Sequence, residues 1–258
     1  MHTATSRFEG LVLLRAGSEA PPLFMAHGLG GSAQQICDLG TNLRTSHAVY
    51  CIQAPGSDGV AEPLDRIENL ARYHLTSIRS LQPTGPYLLA GYSLGGLVAL
   101  EIAQHLCSEG ESIALLAMID SYPHSSQISI VQRLRLKIRL AQQRLVRAVR
   151  PRLRRPDPMQ QATASEPNPD LSAMAHVHAS SHRAWRRYQP RFYPGKIDFF
   201  RAEISTEFPD DPTAIWSGLA KEFECVTVPG DHKGIITTNV AQLGLAISHH
   251  LMGAVNQR

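Results

Sequence analysis

The chain has 258 residues, 43% hydrophobic and 18% charged, with 25 Lys and Arg, 22 Asp and Glu and a formal net charge of +3. This is the balance of an ordinary globular protein, and a domain of this length buries roughly 70% of its unfolded surface, so it needs no disulfide or metal staple. The longest apolar run (Ile113–Ile119) is too short to span a bilayer, the N-terminal MHTATSRFEG has no apolar signal-peptide centre, and the four cysteines (Cys37, Cys51, Cys107, Cys225) fit neither a disulfide framework nor a zinc site.

A soluble, cytoplasmic protein is therefore expected. Its charge is unevenly placed: Gln127–Arg155 holds ten Lys or Arg and no acid, so one segment carries the whole basic excess.

In chain order, Leu11–Leu14 and Leu23–Ala26 read as strands, and Ser32–Leu43 as a helix. Ala48–Ile52 is the next strand and Ile67–Leu81 the next helix. The strand Tyr87–Ala90 runs almost directly into a helix over Leu94–Ser108. Ile113–Ile119, Ile197–Phe200 and Phe223–Val228 are further strands, and a last helix runs from Asn239 to Leu251. Several central strands are apolar at nearly every position, the pattern of strands covered on both faces. Such alternation predicts an open, mostly parallel α/β sheet.

The alternation stops between Ser121 and Pro190. Val131, Leu134, Ile138, Leu145 and Val149 form an apolar stripe along a basic helix. A stretch rich in Pro, Ala and Ser follows (Pro151–Pro169), then a helix containing His and Ala that ends near Tyr188. About 70 residues is too long for an ordinary connection between strands. One domain over residues 1–258, with a lid insertion at about 121–190, is the expected organisation.

The strongest chemical signal is Gly91-Tyr92-Ser93-Leu94-Gly95-Gly96, set between a strand and a helix. A serine on so tight a turn has a strained backbone, and side chains two residues before or after it would collide; glycines there leave the hydroxyl projecting above the sheet. The helix N-terminus supplies N–H groups and a partial positive charge that favour an oxyanion. Ser93 is thus the candidate nucleophile and needs a base with a group to orient it. His232, in Pro229-Gly-Asp-His-Lys after the last strand, is the candidate base, whereas His27 reads as part of a loop wall. His178 and His182 stand at helical spacing where a metal could bind, but no carboxylate or cysteine lies between them and no metal is expected. His249 and His250 read as surface tail.

Three sites could supply the acid. Asp120 closes the strand Ile113–Ile119, Asp210 and Asp211 follow the strand Ile197–Phe200, and Asp231 neighbours His232. The order Ser93, Asp120, His232 agrees with that of hydrolases built on such a sheet, and Asp120 is preferred. A second cluster, Gly28-x-Gly30-x-x-Ala33, formally matches a dinucleotide-binding fingerprint. However, the next strand is followed by Gln53 and not by the acidic residue a ribose requires. An oxyanion loop explains the same glycines and accounts for Ser93 and His232 as well.

Taken together, the stretches PLFMAHGLGGS from Pro22, VYCIQAPG from Val49, GYSLGG from Gly91, IDSYP from Ile119 and PGDH from Pro229 resemble the thioesterase domains of polyketide synthases and nonribosomal peptide synthetases, a branch of the α/β-hydrolases. The resemblance implies an α/β-hydrolase fold and Asp120 as the acid, because in that family the acid follows the strand after the nucleophile helix. It implies oxyanion donors at the backbone N–H groups of Leu29 and Leu94, and a lid where the alternation fails. It further implies an acyl or peptidyl carrier protein as partner, presenting the substrate on a phosphopantetheine arm, with no cofactor of the enzyme's own. An editing thioesterase, a general carboxylesterase and a non-catalytic binding protein of this fold are the rival readings. Nucleic-acid binding is not expected, since the basic segment lacks interleaved aromatics or a recognisable motif.

Overall fold

The structure, a computed structural model, describes residues 10–31, 33–149, 169–205, 208–209 and 211–256. Seven strands, β1 (Leu11–Arg15), β2 (Glu19–Ala26), β3 (His47–Ile52), β4 (Tyr87–Tyr92), β5 (Ile113–Ile119), β6 (Tyr193–Ile204) and β7 (Ala220–Asp231), form one sheet in the order β1-β3-β2-β4-β5-β6-β7. Only β1 runs antiparallel to its neighbour; the other pairings are parallel.

Strand side chains alternate between two cores. Phe24, Leu89, Leu116 and Phe199 point to one side, where they meet α2 (Ile67–Leu81) and α3 (Leu94–Ser108). Leu23, Met25, Leu88, Ala90 and Leu115 point to the other, against α1 (Gln34–Asn42) and α7 (Val240–Asn256). The central strand β4 is buried at every position, as its unbroken apolar run predicts. Between β5 and β6 stand α4 (Ile130–Val149) and α5 (Pro169–Arg187), and a short helix α6 (Thr213–Trp216) links β6 to β7. Among the described residues no helix is long and apolar enough to cross a membrane. The predicted Pro-, Ala- and Ser-rich stretch lies, except for Pro169, outside the described residues, as does Ser32, which was expected to open α1.

The order of strands places the functional edge. From β2 the chain steps to β3 on one side, and from β4 it proceeds to β5, β6 and β7 on the other. The C-terminal ends of the adjacent strands β2 and β4 therefore flank a crevice at the point where the winding reverses, the usual ligand position in open α/β sheets.

Candidate active site

Ser93 caps α3 with φ +55° and ψ −119°, a backbone conformation that non-glycine residues rarely adopt. Two neighbouring glycines make the turn possible. A Cβ on Gly91 would stand 2.1 Å from the carbonyl oxygen of Gly95, and one on Gly95 would stand 2.2 Å from that of Ala26. The second approach draws the start of α3 against the end of β2, beside the loop that carries Leu29.

His232 follows β7 and reaches Ser93 across the sheet edge. Its Nε2 lies 3.1 Å from Ser93 Oγ, and its Nδ1 lies 2.7 Å from Asp120 Oδ2. Asp120 is buried, and its second oxygen, Oδ1, accepts the backbone N–H of Ala202 at 3.0 Å. Both of its oxygens are thus occupied, which holds the carboxylate in one orientation. Asp120 has φ +43°, so serine and aspartate both sit on positive-φ turns. The Ser121 hydroxyl donates to the Ser93 carbonyl at 2.6 Å and ties the two turns together.

The competing acids have other partners. Asp231 Oδ1 accepts the N–H of Gly234 at 2.7 Å and closes the turn after β7. Asp211 Oδ1 accepts the N–H of Ala214 at 3.0 Å at the start of α6, and Asp210 lies outside the described residues. His27 is buried, with its Nδ1 2.6 Å from the Gly28 carbonyl oxygen, and burial lowers its pKa. His250 departs from the sequence reading. It is not a surface tail residue, because its Nδ1 lies 2.9 Å from the carboxylate of buried Asp198; its neighbour His249 is exposed.

Above Ser93 lies a cavity of about 850 Å³. Leu29, Gly30 and Leu94 line its floor, so the predicted oxyanion residues belong to the same space. Leu94 opens α3, where an N–H has no acceptor within the helix. Tyr122, Trp185 and Phe208 supply an aromatic wall, whereas Gln34, Asp38, Lys233 and Thr237 make a polar side. Trp185 is fixed by its indole N–H, which donates to the Tyr122 carbonyl at 2.9 Å, and Phe208 stacks on Tyr122. Sequence reasoning missed this wall: no local pattern links these three aromatics, and they meet only once α5 folds over the sheet edge.

His178 and His182 also line the cavity from α5. Among the described residues, the group of three potential metal ligands whose donor atoms lie within 4.8 Å of one another is instead Asp198, Glu224 and His250. There the Lys196 ammonium already contacts both carboxylates, at 2.9 and 2.7 Å.

The parallel sheet, the serine turn at its reversal point and the carboxylate, imidazole and hydroxyl in line define the α/β-hydrolase class. Within that class, the family model described as Thioesterase domain matches residues 21–249, and the chain belongs to this family of thioester-cleaving enzymes. The dimodular nonribosomal peptide synthase of Bacillus subtilis (strain 168) is 37% identical over 124 residues, which is 48% of this chain and 5% of that one. Enterobactin synthase component F of Escherichia coli (strain K12) is 36% identical over 120 residues, 46% of this chain and 9% of that one. The chain thus spans only a small part of the length of these curated relatives. Among solved structures, the type II thioesterase BorB from the borrelidin biosynthetic cluster superposes with a TM-score of 0.69 at 21% identity, covering 97% of this chain and 100% of that one. The NocB thioesterase domain, in covalent complex with a fluorophosphonate nocardicin G analog, superposes with a TM-score of 0.68 at 21% identity, covering 90% and 95%.

Proposed function

We propose that this protein is a serine thioesterase that releases an acyl or peptidyl chain from the phosphopantetheine arm of a carrier protein. The observation that carries this reading is the line of contacts from Ser93 through His232 to Asp120 at the floor of the cavity. Ser93 Oγ attacks the thioester carbonyl while His232 Nε2 takes its proton. Asp120 fixes the imidazole tautomer and stabilises the imidazolium. The backbone N–H groups of Leu94 and Leu29 hold the tetrahedral oxyanion, a role worth about 3 kcal/mol per donor. The C–S bond breaks, the imidazolium protonates the departing sulfur, and an acyl-serine remains. Water, or a hydroxyl or amine of the same chain, then attacks the ester with His232 again as base, giving a free acid or a ring.

In this reading residues 1–258 are one domain, and α4 and α5 form its lid, which excludes water from the acyl-serine. Three contacts favour a fixed seat for α5: the Trp185 bond to the Tyr122 carbonyl, the pairing of Arg187 with Asp65, and the contact of Val177 with the loop at Gly31. The basic helix α4 is read as the docking surface for the carrier. Arg135 and Lys137 are exposed on it, whereas Arg139 donates to the Phe208 carbonyl beside the site.

Replacing Ser93 by alanine abolishes thioester turnover in a folded protein; turnover that persists in the folded variant removes Ser93 from the mechanism. Arg135→Glu with Lys137→Glu slows release from a loaded carrier and spares a short pantetheine thioester. Equal slowing of both substrates means that α4 is not the docking surface. Short acyl groups cleared as fast as long ones would mark the editing type of thioesterase.

A further inference from the structure

We propose that Tyr92 is a positioning residue for His232, acting through a hydrogen bond to the histidine's own backbone and a ring stacked on its imidazole. The Tyr92 hydroxyl donates to the His232 carbonyl at 2.8 Å, across 140 positions of sequence. Its ring lies 4.9 Å from the imidazole centre with only 23° between the planes. Phe208 adds a second ring at 4.6 Å.

The reason is geometric. Asp120 and Ser93 fix the imidazole by its two nitrogens, but those two contacts lie in the ring plane and do not themselves oppose a tilt of the ring or a slide of the loop. A nearly parallel ring opposes the tilt. A bond to the main-chain carbonyl opposes the slide. Tyr92 is suited to both because it directly precedes Ser93 on the last position of β4 and is itself buried. In the sheet it stands opposite Ile119, the residue before Asp120. One paired strand end therefore sets the nucleophile, the acid and the anchor of the base, while His232 arrives from the far edge strand β7 on a loop. Misplacement by about 1 Å costs on the order of a hundredfold in rate when reacting groups must line up.

The inference rests on the reading of Ser93 and His232 as nucleophile and base. Its test is Tyr92→Phe, which keeps the ring and removes only the donor. Expected is a roughly tenfold fall in kcat with KM unchanged, the lesser loss because the ring still holds the imidazole. The proton resonance between His232 Nδ1 and Asp120 should broaden as well. Labelling of Ser93 by a small fluorophosphonate, measured in all four proteins, should slow on Tyr92→Phe in the native background and be unchanged by it in a His232→Ala background, since residues that act through one another do not add. Additive losses, or a wild-type kcat with an unchanged resonance, overturn the inference. If Tyr92→Phe does not fold, a fluorinated tyrosine at position 92, which keeps the ring and strengthens the hydroxyl as a donor, decides instead: a shifted His232–Asp120 proton resonance supports the positioning role, and an unchanged one counts against it. An inactive wild-type protein, or an active Ser93→Ala, would instead defeat the underlying reading.

Discussion

A non-glycine residue with positive φ costs on the order of 1–3 kcal/mol and persists only where its surroundings over-determine it. Ser93 and Asp120 both hold such conformations, and the surroundings can be named: Ser121 bonds the Ser93 carbonyl, and Asp120 is tied through backbone and side chain to Phe200 and Ala202 of β6. Asp120→Asn keeps the shape of this arrangement but can hold the imidazole in the wrong tautomer. The expected result is a fall in kcat of about 10⁴-fold in a folded protein, read by steady-state kinetics beside circular dichroism. Loss of less than tenfold would mean that the carboxylate does not orient the base. At this scale the serine was legible in the sequence because its turn requires glycines at fixed offsets. Among the aspartates, chain order favoured Asp120, but only the fold shows that it contacts His232 while Asp211 and Asp231 bond backbone N–H groups, because capping a turn and orienting a histidine call for the same side chain.

At the scale of elements, α5 and the glycine loop after β2 fit each other closely. Ala173, Val177, Ser180, Ser181, Ala184 and Tyr188 form the buried side of α5 and its end. Val177 packs where a Cβ on Gly31 would approach its Cγ1 to 2.4 Å, and Gly31 has φ +75°. Gly31→Ala should therefore destabilise by about 2–4 kcal/mol, from overpacking and a left-handed backbone together. Combining it with Val177→Ala should cost less than the sum of the two single changes. Urea unfolding of the three variants checks this, and strict additivity would mean that α5 does not rest on the loop. The lower end of α5 is held differently: the Tyr188 hydroxyl and Arg191 both bond the buried carboxylate of Glu101 on α3. The sequence marked α5 as a helix but not what it covers, since its small and polar buried residues resemble an exposed face.

For the whole molecule, the central sheet was legible because β4 and β5 are short apolar runs bounded by helices of clear period. The edge was less so. β7 extends over Ala220–Asp231 although only Phe223–Val228 reads as a strand, because Lys221, Glu222 and Asp231 are polar residues that an edge strand can expose. The interior also carries a pH dependence. His74 on α2 is buried beside His27, its two ring nitrogens have no hydrogen-bond partner among the described residues, and burial lowers its pKa to about 3; that of His27 is lowered for the same reason. His74 is neutral in the folded protein down to about pH 3, whereas in the unfolded chain it binds a proton below about pH 6.5. Its contribution to stability is complete above about pH 6.5 and is lost as the pH falls toward the folded value. The slope for this one group is about 1.4 kcal/mol per pH unit, and the lowered pKa of His27 acts in the same direction. His74→Leu should leave stability near neutral pH within about 1 kcal/mol of the native protein, since it breaks no hydrogen bond. It should also lessen the loss on moving to pH 4.5, as urea midpoints at the two pH values will report. An undiminished loss would place the acid sensitivity elsewhere.

The proposed function depends on one step, the passage of an acyl group from a thiol to Ser93. Intact-mass analysis of the protein mixed briefly with an acyl-loaded carrier, followed by peptide mapping, tests it most directly. Expected is a transient mass increase equal to the acyl group, located on Ser93 and absent from Ser93→Ala. An adduct on another residue, or release of the acyl group by a folded Ser93→Ala protein, would contradict it.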